Sequence, residues 1–151
     1  MKFGLFYLPT YMPAVRDVQT HYRGIIEQVE FADRIGIDYV WIVEHHFVRH
    51  GGFLPANYAF LSYLAARTKR IRLGTGATVL PLNDPVRVAE DYAMLDHLSG
   101  GRLDFGVGRG YLPHEFHGRN VAPADATGRF QEAFEIVTRA WRGERFSFDG
   151  K

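Results

Sequence analysis

Asp38-Tyr-Val-Trp-Ile-Val-Glu-His-His46 is an apolar run that stops abruptly on three ionisable residues. Its apolar part, Tyr39–Val43, is continuous rather than alternating, as a parallel strand covered on both faces requires. Ionisable groups placed directly after such a strand stand at its exit, where α/β enzymes assemble their active sites. Three further runs repeat the pattern. Phe3–Leu8 is followed by Pro9-Thr10, Ile71–Leu80 contains Gly76-Ala77-Thr78, and Leu103–Val107 leads into Gly108-Arg109-Gly110. Four loops are therefore expected to converge on one face of a parallel sheet.

Between these runs the apolar residues step at three and four. Tyr22, Ile25, Ile26, Val29 and Ala32 form one such face, and Phe130, Ala133, Phe134, Val137 and Trp141 another. Pro55 and Pro85 stand near the first turns of the second and third helices, and Gly36, Gly100 and Gly143 where helices should stop. The order is βαβαβαβα. Strands beginning near residues 3, 39, 71 and 103 match the ~31 residues per unit of a ~250-residue barrel of eight units. Tyr111–Thr127 reads as a long irregular loop, of a length usually given to lids and binding loops.

Composition narrows the function classes. With 151 residues and 46% hydrophobic content the chain can bury the core of one domain. Eighteen basic and 17 acidic residues leave a formal charge of +1, so no general attraction to nucleic acid or to a membrane surface is expected. The basic cluster Arg67, Lys69, Arg70 and Arg72 falls where a helix should end and its dipole favours cations. The absence of cysteine excludes disulfides, thiolate metal sites and a cysteine nucleophile, and it is compatible with a cytoplasmic location. The apolar start, Met1–Leu8, is too short for a signal segment or a membrane span, so a soluble protein is expected.

Two folds accommodate this order. A doubly wound sheet of the flavodoxin type would need a phosphate loop after its first strand, and Pro9-Thr-Tyr-Met-Pro13 offers two prolines and no glycine there. The other is the first half of a (β/α)8 TIM barrel with parallel strands. On that reading residues 1–151 form the amino-terminal half of a single barrel domain, a truncated chain whose terminal Phe146-Ser-Phe-Asp-Gly-Lys151 leads into the other half.

The motifs carry a family resemblance. Lys2-Phe-Gly-Leu-Phe6, Gly36-Ile-Asp-Tyr-Val-Trp-Ile-Val-Glu-His-His-Phe47, Leu73-Gly-Thr-Gly-Ala-Thr-Val-Leu-Pro81, Asp84-Pro-Val-Arg87, Leu95-Asp96, Ser99-Gly-Gly-Arg102 and Phe105-Gly-Val-Gly-Arg-Gly110 together resemble the bacterial luciferase-like, flavin-dependent monooxygenase superfamily. The resemblance implies a TIM barrel that uses reduced FMN and dioxygen to oxygenate a small organic substrate through a C4a-peroxyflavin. It also implies a flavin reductase as partner and a homo-oligomer. A deazaflavin (F420)-dependent hydride-transfer enzyme of the same superfamily is the near alternative, and a non-catalytic flavin-binding protein the distant one.

Candidate site residues follow from the motifs and the resemblance together. His45 and His46 are adjacent, so on an extended backbone they point to opposite sides. The resemblance places His45 beside the reactive flavin as the candidate catalytic residue, a proton-handling imidazole, and lets Glu44 hold loops or subunits together. A metal site built from Glu44, His46 and His50 lacks the His-Glu-x-x-His spacing, and none is expected. Gly106-Val-Gly108-Arg-Gly110 is not a dinucleotide fingerprint, because Pro113 and the polar residues after it argue against the helix such a motif must open. Arg109 can bind phosphate bidentately, and Arg129 stands at the start of the last helix; the resemblance assigns phosphate contacts to both. Gly76 and Ala77 lie in a strand interior, where glycine marks a bulge or the close approach of a ligand. The resemblance sets them under the isoalloxazine, frequently through a non-proline cis peptide. Gly108 joins them as a flavin contact, and Asn83 offers an amide to the flavin's pyrimidine edge. At Gly108 the chain departs from luciferase itself, which carries a reactive cysteine there, and that departure tells against light emission from a long-chain aldehyde. Tyr111 and His46 are the candidate substrate contacts. His114, Glu115 and His117 are expected to line the substrate mouth, and Phe6, Tyr7, Trp41 and Phe47 to lie in the core.

Overall fold

A computed structural model describes residues 1–150; Lys151, the last residue of the run expected to lead onward, lies outside the described residues. Three strands, β1 (Gly4–Tyr7), β2 (Tyr39–Ile42) and β3 (Arg72–Thr75), pair in parallel with Phe6 beside Trp41 and Trp41 beside Gly74. The two later apolar runs each break in the middle. The third yields β3 and β4 (Thr78–Val79) on either side of Gly76-Ala77, whose peptide bond is cis. The fourth yields β5 (Leu103–Asp104), which extends the sheet beside β3, and β6 (Val107–Gly108), which pairs with β4 in a separate parallel ladder. At the break Thr75 replaces the ladder with its side chain: Oγ1 donates to the Gly106 carbonyl at 2.6 Å and accepts from the Gly106 N–H at 2.8 Å. A Cβ on residue 106 would run into the Thr75 carbonyl, which is why glycine stands there.

The helices follow their sequence signals closely. Helix α1 (Val18–Ile35) opens on Asp17, whose carboxylate accepts from the Thr20 N–H, and closes on Gly36 in the left-handed region at φ +96°. Helix α2 (Asn57–Arg67) begins two residues after Pro55. Helix α3 (Pro85–Ser99) starts on Pro85, capped by Asp84, and stops at Gly100. The expected loop Tyr111–Thr127 is instead partly helical. It contains α4 (Pro113–Gly118) and a single 3-10 turn, Pro123–Asp125, before α5 (Ala126–Trp141). A six-residue polar helix is not stable by itself. Packing of Phe116 with Val79, Leu82, Val121 and Ala126 holds α4 in place, and no local pattern could announce that.

One face of the sheet carries Val40, Ile42 and Leu73, buried against Ile25 and Val29 of α1, Leu61 and Leu64 of α2, Leu95 of α3 and Val137 of α5. Alternation puts Phe6, Tyr39, Trp41, Arg72, Gly74 and Asp104 on the other face. Gly74 makes room there for the Trp41 indole. Phe6, expected in the core, is 57% exposed, and Phe47 is exposed as well; both belong to the concave side or the strand exits rather than to the helix-facing core. Arg72, expected beside a helix end, lies in β3 and binds Asp104 through two nitrogens at 2.7 and 2.8 Å.

The join between α2 and β3 is tied from two sides. Asp33 of α1 accepts from the backbone N–H groups of Lys69, Arg70 and Ile71. The Arg102 guanidinium donates to Ala65 O, Thr68 O, Ile71 O, Ser99 O and Thr68 Oγ1 at 2.7–3.2 Å, satisfying carbonyls that a helix end leaves free. Arg102→Ala is expected to remove about 3 kcal/mol of stability, and Arg102→Lys less, because an ammonium keeps the charge but not the planar fork. Urea midpoints at constant m-value measure both. A loss under about 0.5 kcal/mol would mean that water replaces the guanidinium.

Candidate active site

Two of the strand-exit loops are fastened to each other. The N–H groups of Gly52 and Phe53 donate to the Pro9 carbonyl at 2.9 and 2.8 Å, and that of Gly51 donates to Thr10 Oγ1. Beneath them Tyr11 stacks on Phe53 with ring centroids 4.7 Å apart, and His21 stands edge-on to Tyr11. His21 is buried and its Nε2 has no partner among the described residues. Burial, aided by the neighbouring Arg16 charge, holds this imidazole below its ordinary titration range.

The remaining exits are joined by two buried carboxylates. Glu44, 4% exposed, accepts from Asn83 Nδ2 at 2.8 Å and from the Val79 N–H at 3.3 Å, and it lies 3.0 Å from His46 Nε2. Glu115 of α4, 1% exposed, accepts from the His46 N–H at 2.7 Å through the same oxygen that lies 3.0 Å from His45 Nδ1. Arg119 donates to Asn83 Oδ1 at 3.3 Å and completes the link between α4 and the turn after β4. Below this network Tyr92, Asn57 and Thr78 share hydrogen bonds, and burial pushes the Tyr92 phenol well above its usual value.

The sequence-derived residues divide accordingly. His45 is brought to the exit of β2 with its side chain 13% exposed, and its Nε2 bonds to no described residue. Tyr111 is 70% exposed, with its ring edge-on to His45 at 6.2 Å. Ala77 and Gly108 come together across the β4–β6 ladder, where a Cβ on residue 108 would stand 3.4 Å from that of Ala77. Arg109 follows β6 directly, exposed and without a partner among the described residues. Arg129, the fourth residue of α5, donates from Nε to the Pro81 carbonyl in the turn after β4, so both arginines flank this ladder.

Three expectations need correction. His46, expected to touch substrate, is buried against Glu44, because strand alternation turns it away from its neighbour. Asn83, expected to offer its amide to a flavin, spends that amide on Glu44 and on the Val79 carbonyl. Glu115, expected at the substrate mouth, lies under His45 and His46, through contacts spanning about seventy residues that no local pattern records. His114 and His117 are exposed. Among the described residues no three His, Cys, Asp or Glu side chains are grouped as metal ligands.

The profile of the luciferase-like monooxygenase family matches residues 1–151. This chain belongs to that family. It is 36% identical over 150 residues to the oxygenase component of the flavin-dependent trigonelline monooxygenase of Acinetobacter baylyi, covering 95% of this chain and 40% of that protein. Among solved structures it superposes on the monooxygenase RslO1 of Streptomyces bottropensis with a TM-score of 0.95 at 40% identity, covering 100% of this chain and 46% of the other. It superposes on the oxygenating constituent of 3,6-diketocamphane monooxygenase of Pseudomonas putida, solved in complex with FMN, with a TM-score of 0.93 at 26% identity, covering 100% and 42%. The chain thus spans less than half of each of these relatives, and its βα units form the first half of a TIM barrel. No helix among the described residues is long and apolar enough to cross a membrane.

Two outcomes test these contacts at the strand exits. Glu44→Ala leaves the Val79 N–H, the Asn83 amide and His46 without their acceptor, and a loss of about 3–5 kcal/mol is expected in urea denaturation. For His21 the folded state titrates below the unfolded chain, so on acidification the unfolded chain takes up the proton first. Stability is therefore full above about pH 6.5 and falls as pH drops below it. His21→Phe should flatten this part of the melting-temperature profile between about pH 7.5 and 5.5, and an unchanged slope would assign it to other groups.

Proposed function

We propose that this chain provides the amino-terminal half of the barrel of a flavin-dependent monooxygenase, which uses reduced FMN and dioxygen to oxygenate a small organic substrate. The observation that carries this reading is the match along the entire chain to oxygenase components of flavin-dependent enzymes, one of them solved with FMN. The residues suit such a ligand. Gly76-Ala77 and Gly108 offer backbone and a single methyl group where a flat ring can lie, and Arg109, exposed and unpaired among the described residues, follows Gly108 as a cation for a phosphate.

When bound, reduced FMN would supply the two electrons with which one oxygen atom of dioxygen enters the substrate and the other leaves as water. The chain's own groups supply binding and proton control. Arg109 and Arg129 offset the phosphate charge beyond the carboxyl-terminal end of the β4–β6 ladder, and His45 Nε2 holds or moves a proton at the face where Tyr111 flanks the substrate. The joined loops around Pro9 and Phe53 exclude water from that face. A separate flavin reductase as electron source fits a relative named as an oxygenase component. A homo-oligomer working in the cytoplasm completes the proposal.

Anaerobic titration of the intact protein with reduced FMN, followed by product analysis, tests it. Arg109→Ala should weaken FMN binding ~10–150-fold, as expected for one lost charge-assisted bond. His45→Ala should leave binding nearly unchanged and cut oxygenation ~10²–10⁴-fold. Undiminished product from His45→Ala would remove this residue from the chemistry, and reduction of F420 in place of FMN would move the protein to the deazaflavin-dependent branch.

A further inference from the structure

We propose that Glu115 is a positioning residue, which fixes the ring orientation and tautomer of His45 so that Nδ1 carries the hydrogen and Nε2 presents a lone pair to the site. The proposal rests on the reading of His45 as the proton-handling group. It goes beyond that reading in naming the group that prepares the imidazole and the state in which the imidazole is held.

One oxygen does the work. Glu115 Oε1 receives the His46 N–H at 2.7 Å, and that backbone bond holds the oxygen in place irrespective of what the His45 side chain does. The same oxygen stands 3.0 Å from His45 Nδ1. As a carboxylate this oxygen offers lone pairs only, so the hydrogen between it and the imidazole belongs to Nδ1. A neutral imidazole protonated on Nδ1 is an acceptor at Nε2, and Nε2 is the ring nitrogen that bonds to no described residue. The ring has little freedom to turn. A Cβ on Gly52 would run into the His45 ring carbons, so this glycine lets the opposing loop close against one edge, and Tyr111 stands edge-on at 6.2 Å. Glu115 is buried to 1% and lies on α4, whose place is set by Phe116 in its own apolar cluster. The carboxylate is thus anchored by packing on one side and by a backbone amide on the other. That rigidity is what a group needs if it is to hold another in one orientation.

The role is read from the imidazole itself by ¹⁵N spectroscopy of histidine-labelled intact protein, with His45→Asn assigning the signal. The wild type should show the Nδ1–H form. Glu115→Gln keeps the volume and one acceptor oxygen, so it should retain this tautomer and much of the oxygenation rate. Glu115→Leu keeps the volume without an acceptor, so it should release the ring to the Nε2–H form or to a mixture. Its turnover should fall about 10²-fold at little change in substrate KM, the low end of what a mispositioned acid–base group forfeits. An Nε2–H ring in the wild type overturns the proposal whether or not Glu115→Leu folds. So does an unchanged tautomer in Glu115→Leu, even with lowered melting temperature, since that describes packing alone. Absence of oxygenation by the wild type would refute the proposed function while the spectrum still decides the role of Glu115.

Discussion

Two carboxylates with almost no access to water hold the exits of three strands together. Burying such groups is unfavourable by several kcal/mol unless hydrogen bonds replace their hydration. Glu44 is satisfied by the Val79 amide, the Asn83 side chain and His46, and Glu115 by the His46 amide and His45. Because Glu44 takes donors from β4 and the turn after it, and Glu115 on α4 takes both of its donors from the exit of β2, neither carboxylate can be satisfied unless those segments stand in one arrangement. His45 inherits its position from this constraint, and so do the turn after β4 and helix α4.

A second constraint concerns where the ladders stop. The parallel sheet does not run through to the exits but breaks at Gly76-Ala77 and at Phe105-Gly106, and Thr75 bridges the break with its hydroxyl. The short β4–β6 ladder beyond it is displaced from the main sheet and brings Ala77 beside Gly108, with Arg109 and the anchor of Arg129 at its margins. Small residues in strand interiors weaken a sheet. Here they occupy the places where chain must pass close to chain, and what remains on the open side is backbone, a methyl group and a guanidinium. A fold shared by many enzymes becomes a particular site through such local departures from regularity.

Much of this was legible in the order of residues. Continuous apolar runs spaced by about 31 residues, helices bounded by Asp17, Pro85, Gly36 and Gly100, and ionisable groups at the exits depend on local periodicity and capping, which a linear pattern records. The motifs also marked the exit of β2 at His45, the break between β3 and β4 at Gly76-Ala77, and the end of β6 at Gly108-Arg109. What the pattern could not carry was the partner of each polar group. Helix α4 exists because Phe116 finds Val79 and Leu82, and Asn83 and His46 face inward because Glu44 receives them.

The sequence by itself therefore determined the succession of βα units and their exits, since those follow from side-chain period and backbone preference within a few residues, and its motifs carried the resemblance to the family. The tertiary structure alone decided that His46 spends its Nε2 on Glu44 while His45 Nε2 bonds to no described residue, that Glu115 stands beneath both, and that the third and fourth apolar runs break instead of continuing. Apart from the His46–Glu44 pair, these rest on hydrogen bonds between residues about thirty to seventy positions apart, and a buried polar group takes whichever partner the folded chain brings within about 3 Å.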